Sequence, residues 1–88
     1  MIRRRVIVHG WVQGVFFRDS TRRQAQQRGV AGWVSNRSDG AVEAVFEGEA
    51  DAVDRLVDFA REGPRGAQVD RVEVLDEEPE GLTGFSIR

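Results

Sequence analysis

The stretch from Glu49 to Glu62 constrains the rest of the fold more than any other part of the chain. Val53, Leu56, Val57 and Ala60 recur there at i, i+3, i+4 and i+7, the spacing of an amphipathic helix. Gly63-Pro64 ends the pattern, as a glycine cap followed by a proline should. A helix with one apolar stripe has to bury it against another layer. In a chain of 88 residues that layer must come from the flanking segments, and both flanks read as strands. Ala41 to Glu47 alternates, with Val42, Ala44 and Phe46 on one side and Glu43 and Glu47 on the other. Val69 to Leu75 puts Val72 and Val74 on one face.

The N-terminal half repeats the arrangement. Arg3 to His9 reads as a strand whose β-branched centre, Val6-Ile7-Val8, suits the interior of a sheet. Gly10 to Val15 reads as a loop, and Phe17 to Arg28 as a helix. Its apolar stripe is thin, made of Phe17, Thr21 and Ala25, with Gly29 as its cap. Val30 to Asn36 is a second strand, and the Asp-Gly of Arg37-Ser38-Asp39-Gly40 is a hairpin signal. Glu77 to Gly81 is an acidic turn, and Gly84 to Arg88 a short closing strand. The order βαββαβ with a short C-terminal edge strand predicts an α+β fold. The expectation is one ferredoxin-like α/β sandwich over residues 1–88, an antiparallel sheet with two helices on one face. Unrelated functions share that architecture, so the site has to decide among them.

Elimination narrows the chemistry. The formal net charge of −2 argues against a nucleic-acid partner, since such proteins are usually basic. No apolar run approaches the ~18 residues of a membrane span, and no secretory signal is read at the N-terminus. With no Cys there is no disulfide framework. The expectation is a cytoplasmic protein that does not engage membranes. All 13 basic residues are Arg, so a Walker A lysine and Schiff-base chemistry are excluded. His9 is the only His and there is no Tyr, so one chain cannot build a two-His metal site. What remains suits a reaction with a good leaving group, in which positioning and electrostatics suffice, and no cofactor is expected.

Two segments carry candidate chemistry. In Val8 to Arg18 a strand pattern gives way to a glycine-containing loop, and a helix begins with Arg18 at its mouth. The first N–H groups of a helix lack internal partners and carry the positive end of its dipole, which makes an anion site. Gly10 and Gly14 allow the backbone to bend around a ligand, and Arg18 offers a bidentate fork to phosphate oxygens. A plain connection is the competing reading. The second segment is Gly32-Trp33-Val34-Ser35-Asn36. Its Asn36 either starts the turn through its own backbone or holds a water by donating and accepting hydrogen bonds.

Both segments resemble the signatures of the acylphosphatase family. Val8 to Arg18 fits the first, with its Val-Gln-Gly-Val core at Val12 to Val15, at every defined position. Gly32, Trp33, Val34, Asn36, Gly40, Val42 and Gly48 fit the second. Ser35 departs from it, and a neighbour in an alternating strand should point away from Asn36. The resemblance extends to the Phe-x-Ile-Arg ending at Phe85 to Arg88. It implies hydrolysis of acyl phosphates to a carboxylate and inorganic phosphate, without metal. It further implies that Gly14, Val15, Phe16, Phe17 and Arg18 bind phosphate, or sulfate in its place. Arg18 is then the catalytic guanidinium, and Asn36 orients the attacking water. Separately, no exposed apolar helix face stands out in the sequence, so a monomer is expected. The alternative is a non-catalytic ferredoxin-like module that binds anions or another protein.

Other residues have plainer readings. His9 is expected on a sheet face or edge, Trp33 in packing, and Trp11 in packing or beside the acyl group. Arg3, Arg4 and Arg5 are expected on a solvated strand, and Glu77, Glu78 and Glu80 in a solvated loop. Asp19 complements the helix dipole, and Asp39 belongs to the turn.

Overall fold

A computed structural model describes residues 1–88. The elements are β1 (Ile2–Trp11), α1 (Phe17–Gln27), β2 (Ala31–Asn36), β3 (Val42–Gly48), α2 (Ala50–Glu62), β4 (Gln68–Glu77) and β5 (Phe85–Ile87). They form one five-stranded sheet in the order β4-β1-β3-β2-β5. The expected ferredoxin-like order is present. β1, β2, β3 and β4 pair antiparallel, as expected, but β5 joins β2 in parallel, so the sheet is mixed. The reason is topological. The segment after β4 crosses the sheet before pairing, so β5 arrives at the far edge running the same way as β2.

Each helix buries the stripe its sequence announces. α1 buries Phe17, Thr21 and Ala25, and α2 buries Val53, Leu56, Val57 and Ala60. These residues share one core with Val6 and Val8 of β1, Val34 of β2, and Val42, Ala44 and Phe46 of β3. The strand residues in that core alternate along their strands and pair with one another across the sheet. They therefore lie on one face, and both helices pack there. The Phe17 and Phe59 rings, 6.1 Å apart, join the two helices. α1 ends in a Schellman motif, with Gly29 N–H donating to Gln26 and Val30 N–H to Ala25.

β1 runs two residues past the expected end at His9. An irregularity between His9 and Gly10 lets pairing with β4 continue through Trp11. Gly10 therefore belongs to the sheet, not to a ligand loop. A Cβ there would meet the Gln68 carbonyl oxygen at 2.2 Å, so a side chain is excluded by β4.

The opposite face of the sheet corrects a second expectation. Arg3 is only 4% exposed and Glu47 only 1%. Arg3 Nη1 donates to Glu47 at 2.7 Å and its Nε to Glu77 at 2.8 Å, with Glu80 at 3.4 Å. The Glu47 carboxylate also accepts the backbone N–H groups of Glu80, Gly81 and Leu82 at 2.9, 3.1 and 3.1 Å. The arginine strand and the acidic turn are thus not simply solvated. Opposite charges on adjacent strands pair, and the turn closes over them. Arg5, bonded to Glu77 and Glu43, extends the network.

This network sets the acid behaviour of the fold. Burial raises the pKa of Glu47, but the Glu80 N–H and the Arg3 guanidinium outweigh it and hold the carboxyl below its ordinary value. Arg5 and Arg3 lower Glu77 to about 2. Unfolded carboxyls take up protons near 4.5, before the folded ones do. Stability from these groups is therefore complete above that pH and is lost as pH falls toward about 2. Circular dichroism melts should show a flat midpoint above about pH 5 and a steep fall below it, shallower in Glu77→Gln. Glu47→Ala strands a buried guanidinium and three N–H groups. It should cost about 3–5 kcal/mol in urea unfolding at neutral pH.

Candidate active site

The loop between β1 and α1 is held from beneath and left open above. Val12 is 1% exposed and anchors the loop in the core. Gln13 Nε2 donates to the carbonyls of Arg37 and Ala41, at 2.8 and 2.9 Å. One side chain thereby ties the loop to the β2–β3 hairpin, where Asn36 ends β2. Nothing in the sequence around Gln13 announces this tie. Its only signal was its place between Val12 and Gly14 in the signature.

Gly14 takes φ 75°, and Phe16 takes φ 61°, ψ 24°. A left-handed residue directly before a right-handed helix turns successive N–H groups toward one side, as in an anion nest. Phe16 offers no side-chain cap to α1. No N–H from Gly14 to Asp19 donates to a protein acceptor. The first protein bond of the helix is Ser20 N–H to the Phe16 carbonyl, at 3.0 Å. The unpaired donors and the dipole both favour a negative charge at this mouth.

A cavity of about 300 Å³ opens there, lined by Val12, Gly14, Phe16, Phe17, Arg18, Asp19, Asn36 and Ile87. Arg18 and Asn36, though far apart in sequence, line it together. Arg3, Arg4, Arg5, Arg22, Arg23, Arg37 and Arg71 all have carboxylate partners. Arg18 has none, although it is half-buried. The other arginines without a carboxylate are exposed. A half-buried guanidinium with no carboxylate partner keeps its charge and its planar fork available.

Asp19, the one carboxylate on the cavity wall, is already engaged by Arg22 at 3.0 Å and Arg23 at 2.6 Å. Two guanidiniums offset the repulsion it would exert on an incoming anion. Asn36 supplies the complementary feature. Its Oδ1 is buried and accepts no hydrogen bond from the protein. An unsatisfied buried acceptor beside a cavity is costly unless a ligand or water fills it. The hairpin turn is closed without this amide. Asp39 Oδ1 accepts the Ala41 N–H at 3.0 Å, and Arg37 N–H donates to Ala41 at 2.8 Å.

The remaining candidates lie outside the cavity. His9 bonds Glu73 across β1 and β4 at 2.6 Å, as a sheet-face residue. Trp33 is packed between the guanidiniums of Arg5 and Arg88, 5.5 and 4.6 Å from its ring centre. Trp11 is exposed at the end of β1 and does not line the cavity.

Fold and cavity together define an α/β sandwich with an open pocket at the mouth of α1. The acylphosphatase family profile matches residues 4–87. An acylphosphatase of Rubrobacter xylanophilus is 62% identical over 96% of this chain and 77% of its own length. One from Gloeobacter violaceus is 56% identical over 98% of this chain and 92% of its own. The crystal structure of acylphosphatase from Bacillus subtilis superposes with a TM-score of 0.96 at 39% identity. That match covers 100% of this chain and 99% of the other. The chain belongs to the acylphosphatase family, as its two signatures led us to expect, and is an enzyme of that type.

The loop geometry carries a strain that can be measured. A bulky residue in the left-handed region costs about 1–2 kcal/mol. Glycine at position 16 relieves it, less about 0.5–1 kcal/mol of added unfolded-state entropy. Phe16→Gly should therefore stabilise the fold by about 1 kcal/mol or less, raising the thermal midpoint by up to about 4–8 °C. Calorimetry checks this, and a lowered midpoint would contradict it.

Proposed function

We propose that the enzyme hydrolyses the carboxyl-phosphate bond of small acyl phosphates by direct in-line attack of water. One observation carries this reading: Arg18 with its unpaired guanidinium, a loop with unpaired amides and Asn36, whose carboxamide oxygen has no protein partner, border one cavity.

The phosphoryl group docks with its oxygens on the N–H groups of Gly14 to Arg18 and on the Arg18 guanidinium. Charge on these equatorial oxygens is what phosphoryl transfer needs to have stabilised. Asn36 Oδ1 accepts a hydrogen bond from the water and aims its lone pair at phosphorus, opposite the acyl oxygen. The water O–P bond forms while the P–O bond to the acyl group breaks, and that electron pair leaves on the carboxylate. A carboxylic acid has a pKa of about 4, so the leaving group needs no proton near neutrality. Asp19 is engaged by two arginines, and the water's proton passes to a phosphoryl oxygen. No general acid or base side chain takes part. A cytoplasmic, monomeric enzyme is part of the same proposal.

Removal of one positioned stabilising donor costs about 10²–10³ in rate. Release of phosphate from acetyl phosphate, with chelator present, should fall by that order in Arg18→Gln, with a raised KM. Asn36→Ala should lose kcat by a similar factor while inorganic phosphate still inhibits competitively. Wild-type turnover in Asn36→Ala would remove it from the mechanism.

A further inference from the structure

The two halves of the proposed site stand on strands that do not pair with each other. The phosphoryl cradle follows β1 and Asn36 ends β2, with β3 between them. Val8 and Asn36 both pair with Val42, the first residue of β3. Past that point β1 continues against β4 alone, and no strand joins the loop to the hairpin.

Each half is held internally. Val12 sits in the core, and Phe17 and Thr21 bury the start of α1. Arg37 N–H donates to the Ala41 carbonyl at 2.8 Å, and Gly40 N–H to the Arg37 carbonyl at 3.2 Å, which closes the hairpin. The spacing between the halves is a separate matter, and one side chain spans it. Gln13 Nε2 carries two hydrogens, and they go to the carbonyls of Arg37 and Ala41. A carbonyl oxygen has two lone pairs. Each of these two carbonyls accepts one bond from within the hairpin and one from Gln13. No other hydrogen bond runs between residues 12–16 and residues 36–41. Gln13 does not itself line the cavity. The chain joins it directly to Gly14 of the cradle, and joins its acceptor Arg37 directly to Asn36.

We propose that Gln13 is a positioning residue for hydrolysis. Its carboxamide fixes the distance between the cradle and Asn36, and so the line along which water meets phosphorus. The proposal rests on the acylphosphatase reading above and adds a residue that acts only through the alignment of the two halves. In-line attack tolerates little error, since a misplacement of about 1 Å can cost about 10²-fold.

The test removes the two donors and keeps the length of the side chain, in Gln13→Met and, alongside it, Gln13→Glu. Each is assayed on acetyl phosphate well below its own thermal midpoint. Turnover should fall by roughly 10–100-fold. The inhibition constant of inorganic phosphate should stay within about threefold of wild type in Gln13→Met, because the cradle is intact and only the aim of the water is lost. The decisive measurement is the double variant. Added to Asn36→Ala, Gln13→Met should cost less than about twofold more, because nothing is left to align. The same loss with and without Asn36 overturns the positioning role and leaves the acylphosphatase reading intact. Weakened phosphate inhibition with unchanged kcat overturns it too, since Gln13 would then serve the cradle. If neither single variant holds the fold, the tie is structural and the positioning role falls. Wild-type turnover in Asn36→Ala alone overturns the assigned role of Asn36 and this proposal with it.

Discussion

A single buried carboxylate organises the half of the molecule that faces away from the helices. Glu47 lies in β3, and its two oxygens take one guanidinium and three backbone N–H groups. A buried ion pair is weak support for a fold unless its remaining lone pairs are satisfied. Here four donors meet one carboxylate, and the segment after β4 is held across the sheet. That crossing delivers β5 to the edge of β2 and brings Ile87 to the cavity wall. The charge pair on one face therefore governs the shape of the site at the end of the sheet.

The cavity is built on the opposite rule. On the face away from the helices, arginines of β1 are matched to carboxylates on neighbouring strands. At the mouth of α1 the loop amides, Arg18 and the Asn36 oxygen are left unmatched. Preorganised, unpaired groups of this kind act without reorganising when charge develops on a ligand. Gln13 keeps the two halves of the constellation in register, because its amide holds the loop against the hairpin.

Where information is local, the sequence was readable. The stripes of α1 and α2 name the residues those helices bury, since helical periodicity alone assigns them to a face. Arg18 and Asn36 were legible as candidates through their signatures, and the structure adds that they share a cavity. Long-range pairing was not legible. Nothing in Arg3-Arg4-Arg5 says that Arg3 is buried, because its partners Glu47 and Glu77 lie 44 and 74 residues away. Alternation assigned Glu47 to a face without showing that a turn would cover it. The parallel pairing of β5 depends on where the crossing segment lands. The continuation of β1 through Gly10 depends on β4.

The placement of β5 has a consequence beyond the cavity. With only three residues, it nevertheless occupies the rim of β2, whose N–H and C=O groups would otherwise face outward unpaired. Its flanks complete the seal, with Gly32 N–H bonded to Gly84 and Arg88 N–H to Val34, both at 2.9 Å. An open rim is a template on which another molecule can add a strand, and short or charged borders are how sheets avoid this. The opposite border, β4, is long but carries Asp70, Arg71, Glu73, Asp76 and Glu77. The small final strand thus works as a selvedge: it leaves a border three residues long where β2 would have offered six.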